Sequence, residues 1–245
     1  VASIHHFHRE GKAKPCVRTW KTDLPSRKGR PVQLTVLLFK PMMPHMEKKN
    51  RLYLVRHGQV EGFDRTPIYG HTDVKMTEIG RIQMESVGER LRLVPIHAAF
   101  ASDLHRSRTG AGLIARHHDV EVKILEGLRE MFFGDWEALG LADVRKNFSE
   151  ELEKRQKNLM GYAPPGGGES LRDFSERVLK TLRRVFADRP GQDILMVAHG
   201  GVNRVILCDA LGLDVSRMFG LHQDYGCLNV IDYFPDMALV RLVNG

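Results

Sequence analysis

The amino-acid sequence predicts an α/β protein with a mostly parallel central sheet, and three observations carry that expectation. Residues 52–55 (LYLV), 96–101 (IHAAFA) and 194–198 (ILMVA) are short continuous apolar runs, the pattern of strands covered on both faces. Stretches with helical periodicity lie between them. Each run then ends directly in histidine, arginine or aspartate, at the strand end where an open α/β sheet borders its ligand crevice.

Taken in order, the 52–55 strand runs into Arg56-His57-Gly58, and Thr77 is placed to cap a helix reaching about Leu93. The 96–101 run leads through Ser102 and Asp103 into a helix over 104–117. A weaker strand is expected at 122–125. Residues 141–159 form a highly charged helical excursion, and 163–168 (APPGGG) a loop. Together, about 141–168 read as a small helical cap insertion with a mobile rim. A new helix begins near Glu169 and Ser170, with Phe174, Val178, Leu182 and Val185 on one apolar face. After the 194–198 strand and His199-Gly200-Gly201, residues 229–233 and 238–243 read as a hairpin that adds an antiparallel strand at the sheet edge.

Composition narrows the class. The chain has 245 residues, 42% hydrophobic and 27% charged, enough for one or two domains with a real core and inconsistent with a fibrous or wholly disordered protein. No run approaches the roughly 18 apolar residues of a membrane span. Cys16, Cys208 and Cys227 are odd in number and widely spaced, which argues against a disulfide framework or a thiolate zinc site and leads us to expect a cytoplasmic protein. The formal charge of +7 is concentrated in the head: residues 1–49 carry +8 and the remainder −1. The body therefore lacks the positive surplus of a nucleic-acid binder. Residues 1–46 are expected to be a basic flexible tail, or sequence upstream of a start at Met46, and 47–245 the functional domain. His5, His6 and His8 are read as tail residues rather than metal ligands.

The strand ends carry the chemistry. Two imidazoles, His57 and His199, should converge with the guanidiniums of Arg56 and Arg106. Arginine forks match phosphate oxygens, and an imidazole near neutrality is a usable nucleophile or proton carrier. A phosphoryl group is the simplest ligand. Glu130, after the weak strand, is placed to protonate a leaving alcohol, with Glu61 and Asp135 as nearby alternatives. Glycine after each histidine, Gly58 and Gly200, would let the substrate sit against the rings. Asp103 should cap its helix or orient Arg106. No metal is required, and no H-x-x-x-H or H-E-x-x-H spacing suggests one.

In this order, LVRHG at 54–58, YGHTDVKMTEIGRIQ from Tyr69, ASDLHRSRT from Ala101, LREMFFGDWE from Leu128, PPGGGES from Pro164 and VAHGGVNR from Val197 resemble the histidine phosphatase, or phosphoglycerate mutase-like, superfamily. The resemblance covers residues 51–245. It implies an α/β/α sandwich, a phosphorylated His57, a phosphoryl group surrounded by Arg56, Arg106 and His199, and Glu130 as proton donor. The L-R-E-x-x-F-G-x-W-E segment is similar to the phosphatase branch, and the chain is most similar to α-ribazole phosphatase-like and broad-specificity members, the former acting late in cobalamin assembly. Many relatives carry R-H-G-E-T-x-x-N. Here Gln59, Val60 and Phe63 replace the polar groups, so a more apolar mouth is expected.

The activity expected is metal-independent hydrolysis of a phosphomonoester through a phosphohistidine, with no cofactor. The partner is a small-molecule phosphomonoester, with no nucleic acid and no membrane, while a homodimer stays open. A mutase, returning the phosphoryl group to a bound alcohol, and a catalytically silent phospho-ligand binding module are the alternatives.

Overall fold

The computed structural model describes residues 17–24 and 32–39 by their backbone, and residues 48–65 and 67–245 in full. The chain divides into two units, Val1–Met46 and Glu47–Gly245. In the first, β1 (Val17–Leu24) and β2 (Val32–Phe39) pair antiparallel, with Val17 opposite Phe39. The expectations for His5, His6, His8 and a start at Met46 lie outside the described residues.

The second unit contains β3 (Asn50–Arg56), β4 (Ala98–Ala101), β5 (Val122–Ile124), β6 (Asp193–Ala198), β7 (Leu228–Tyr233) and β8 (Ala238–Leu242), ordered β5-β4-β6-β3-β7-β8 in one sheet. The first four are mutually parallel. β7 runs antiparallel to both β3 and β8. The expected antiparallel strand is therefore present, one place in from the edge. The hairpin docks by its first strand, and the second lies outside it.

Alternation along the central strands explains the layers. Leu52, Leu54, Ile194 and Met196 point into one core with Phe174, Val178, Leu182 and Val185 of α5 (Leu171–Asp188) and Val202 and Ile206 of α6 (Gly200–Leu211). Tyr53, Val55, Leu195 and Val197 point into the other, against Met84, Val87 and Leu91 of α1 (Glu78–Leu91) and Ala111 and Ile114 of α2 (His105–Ala115). The result is an α/β/α sandwich. Thr77 caps α1 by accepting from the Gly80 amide at 3.0 Å, and Ser170 caps α5 by accepting from that of Asp173 at 3.1 Å. The charged excursion forms α3 (Leu141–Asn147) and α4 (Ser149–Lys157), broken at Phe148, whose ring packs 6.2 Å from that of Trp136. No helix among the described residues is long and apolar enough to cross a membrane.

One contact gives Gly58 a structural task. A Cβ there would collide with the Gly80 carbonyl of α1, and a Cβ on Gly80 would collide with the Gln59 carbonyl. Gly58 is required for the approach of helix to strand end. Gly80→Ala should therefore cost about 1–3 kcal/mol in urea unfolding. Gly112→Ala, on the exposed side of α2 with no atom within 4 Å of its added methyl, should be neutral or gain up to about 1 kcal/mol. Equal effects at the two positions would refute the contact.

Candidate active site

The strand register assembles the site. β3 and β6 are parallel neighbours with Arg56 opposite Ala198, so the next residues, His57 and His199, emerge side by side. The His57 amide donates to the Ala198 carbonyl at 3.0 Å. The two rings meet edge-on, with centroids 5.1 Å apart. The crossovers diverge here, β3 leading through α1 to β4 and β6 through α6 to β7, which makes this the switch point of the sheet.

His57 is 5% exposed, and its Nδ1 lies 2.8 Å from the Gly58 carbonyl. A carbonyl only accepts, so Nδ1 carries the hydrogen and Nε2 presents its lone pair. Burial, then the charges of Arg106 and Arg56, hold this imidazole well below the usual histidine range. His199 is fully buried and its Nε2 bonds the Ser102 hydroxyl at 2.7 Å, while Nδ1 has no partner among the described residues. Burial, Arg106, His57 and Arg56 lower it likewise. Both rings are neutral at pH 7.

Arg106, from the first turn of α2, is 1% exposed. Its Nη2 and Nη1 donate to the carbonyls of Gly70 and Thr72, each at 2.7 Å. Arg56 is half-buried, donates from Nη1 to the Gln223 carbonyl at 2.7 Å and lies 3.9 Å above the Tyr225 ring. Its Nε is buried without a partner. Buried polar atoms left unpaired cost about 1–3 kcal/mol each, and Arg56 Nε and His199 Nδ1 suit the oxygens of an anion held beside His57. A Cβ on Gly200 would sit 3.1 Å from Arg204 Nη1 and 3.4 Å from Arg56 Nε. Gly200 thus borders two guanidiniums.

Glu130 follows the 3-10 turn Glu126–Leu128. Its two carboxylate oxygens accept from the Met131 amide at 2.9 Å and the Gly201 amide at 2.8 Å, which tethers it to the start of α6 beside His199. A Cβ on Gly201 would lie 2.2 Å from Glu130 Oε1, so a side chain there would displace the carboxylate. The alternatives lie elsewhere: Glu61 is exposed, and Asp135 is exposed beneath Gly166 of the glycine-rich loop.

Two further expectations are corrected. Asp103 neither caps α2, whose N-cap is Leu104, nor hydrogen-bonds Arg106; it pairs with Arg129, whose Nε lies 2.8 Å from Oδ1. The α2 amide at His105 is satisfied by Asp73 at 2.7 Å. Val60 does not line a mouth; it is 2% exposed and bridges to Met76, whereas Phe63 is 43% exposed.

Residues not singled out from sequence complete the site. Tyr225 and Gln223 come from the loop around His222 to Cys227, which the sequence marks as a seat of specificity but whose geometry no periodicity fixes. Glu137 accepts from the amides of Gly70 (3.2 Å), His71 (2.9 Å), Thr72 (2.9 Å) and Phe133 (3.1 Å), fixing the segment that Arg106 holds. Arg177 donates to the carbonyls of Gly127 (3.1 Å), Arg129 (3.1 Å) and Glu130 (3.3 Å) and pairs with Glu169, bracing the backbone that carries Glu130.

The chain is similar to known proteins along the whole second unit. The family described as the histidine phosphatase superfamily (branch 1) matches residues 52–245. An adenosylcobalamin/alpha-ribazole phosphatase of Escherichia coli is 30% identical over 194 residues, covering 79% of this chain and 95% of the relative. A 2,3-bisphosphoglycerate-dependent phosphoglycerate mutase 2 of Gloeobacter violaceus is 33% identical over 179 residues, 71% of this chain and 81% of the relative. Among solved structures, one described as a putative alpha-ribazole-5'-P phosphatase from Escherichia coli superposes with a TM-score of 0.75 at 28% identity, covering 80% of this chain and 97% of that one. With the paired histidines at the ends of β3 and β6 and the match running from Leu52 to the last residue, this chain belongs to branch 1 of the histidine phosphatase superfamily.

Proposed function

We propose that the protein is a phosphomonoesterase that works by covalent transfer of the phosphoryl group to His57 Nε2. The observation that carries this reading is the bond from His57 Nδ1–H to the Gly58 carbonyl, which leaves Nε2 unprotonated within the field of Arg106 and Arg56. Arg56, Arg106 and His199 would take the three equatorial oxygens as charge spreads over them. Glu130, with a second lone pair on each oxygen, would deliver a proton to the departing alcohol. In the second step it would draw a proton from the water that attacks phosphorus and frees His57.

The charge needed on the phosphoryl oxygens is supplied by guanidiniums, which supports turnover without metal. The partner proposed is a small-molecule phosphomonoester, and the phosphatase-named relatives make α-ribazole 5'-phosphate the first substrate to test. Isomerisation of 3-phosphoglycerate with little phosphate release would instead mark a mutase, and ligand binding without turnover a silent module.

Hydrolysis of p-nitrophenyl phosphate in excess EDTA should persist in the native chain and fall at least about 10³-fold in His57→Ala; loss of turnover on chelation would overturn the metal-free mechanism. Nitrogen-detected NMR at pH 6 should find His57 neutral with hydrogen on Nδ1, because its depressed pKa leaves the ring unprotonated where an ordinary histidine is half or more charged. A charged ring at that pH would contradict the proposed nucleophile. In kcat/KM, which reports the phosphorylation of His57 and not the later hydrolysis, Glu130→Gln should slow alkyl phosphates about 10²–10⁴-fold and p-nitrophenyl phosphate much less, since only a basic alkoxide needs the proton. Equal losses on both substrates would remove Glu130 from the role of acid.

A further inference from the structure

His71 occupies a position that the mechanism above leaves without a task. The Arg106 fork straddles it, donating to the carbonyl on each side, Gly70 and Thr72. Glu137 holds the amides of all three residues. From this fixed segment the His71 ring reaches the opposite catalytic group: its Nε2 lies 3.0 Å from the backbone carbonyl of Glu130. It packs on Phe132 with centroids 4.9 Å apart and an interplanar angle of 32°. One residue thus touches both the backbone that anchors the phosphoryl-binding arginine and the backbone of the proton donor.

The hydrogen bond to Glu130 settles the chemistry of the other ring nitrogen. A carbonyl accepts only, so Nε2 donates and Nδ1 keeps a lone pair. Nδ1 makes no hydrogen bond to the described residues, and the ring is half-exposed. Burial is the main cause that holds the ring below the ordinary histidine range, so this acceptor persists at neutral pH. An acceptor is satisfied by a donor.

In-line displacement places the leaving oxygen on the far side of phosphorus from His57, where Glu130 meets it. We infer that the first carbons of the leaving group lie between Arg106 and Glu130, alongside His71, and that His71 determines specificity by accepting, through Nδ1, a hydrogen bond from a hydroxyl on the carbon next to the esterified one, so that the site favours 2-hydroxyalkyl phosphates over esters, α-ribazole 5'-phosphate among them, whose neighbouring carbon carries no hydroxyl. The inference rests on the phosphomonoesterase reading, and Phe132 supplies the apolar wall against which the same carbons pack.

The test compares kcat/KM for 2-hydroxyethyl phosphate and 2-methoxyethyl phosphate, whose leaving alcohols have similar basicity and differ in the O–H donor. The native chain should prefer the hydroxy ester about threefold to tenfold, the worth of one net hydrogen bond. In His71→Phe, which keeps an aromatic ring against Phe132 and removes the acceptor, the ratio should fall to near one. Because the ratio is taken within a single protein, a general loss of activity cancels from it. A ratio near one in the native chain overturns the assignment without any variant, and so does a preference that survives in His71→Phe. If p-nitrophenyl phosphate is hydrolysed and no hydroxyl preference appears, only the role of His71 is lost; if no phosphomonoester is hydrolysed, the phosphomonoesterase reading fails and takes this inference with it.

Discussion

The pairing of Arg56 with Ala198 is the constraint on which the site depends. It sets His57 and His199 abreast at the carboxyl end of the sheet, and the backbone bond between His57 and Ala198 locks the level. Register in a sheet buried on both faces is not free to slip, because a shift by one residue would exchange the side chains of the two cores. Leu52 and Leu54 would then face α1 and α2, and Tyr53 and Val55 would face α5 and α6. The volumes packed on the two faces thus fix the separation of the imidazoles, and the hydrophobic effect that stabilises the fold also aligns His57 with His199.

Electrostatics follow from that burial. Two guanidiniums lie beside two neutral imidazoles, and each cation further disfavours protonation of the rings. Arg204 adds to the positive charge: burial and Arg56 both depress its pKa. Under the proposed mechanism, a phosphomonoester bound beside these groups would offset their mutual repulsion. The Arg56–Tyr225 contact serves the same arrangement by keeping the guanidinium plane against an aromatic face, where it is held without a neutralising carboxylate.

Much of this was legible in the sequence because the central strands are continuous apolar runs that stop abruptly at charged residues. The histidines, Arg56, Arg106 and Glu130 were found as strand-end or near-strand residues, and the structure brings them together. Contacts made by side chains across the fold were not legible. Asp103 resembles a helix cap in one dimension, but its partner Arg129 is 26 residues away along the chain. Gly58 looked like room for a ligand, and only the packing of α1 shows its structural task. Val60 looked exposed because its neighbours are polar, yet the bridge to Met76 turns it inward. The loop holding Gln223 and Tyr225 has no period to read, since its conformation is set by bonds to Asn229 and Arg56.

The two halves of the site are held by different physics, and this bears on how one fold carries several chemistries. The phosphoryl half rests on strand ends and helix starts, whose positions are set by the whole core. The leaving-group half rests on irregular backbone after a 3-10 turn, held by individual side chains: Arg177 and Glu169 on one side, His71 on another, and Gly201 at the carboxylate. Changing a core residue would disturb both halves at a cost to stability. Changing an anchor such as His71 alters what lies next to Glu130 while the pairing of β3 with β6 stands. Relatives named as phosphatases and as a mutase match this chain along most of its second unit. Under the proposed mechanism, a change of leaving group calls for a change only on the side held by single anchors, and leaves the sheet and its two histidines in place.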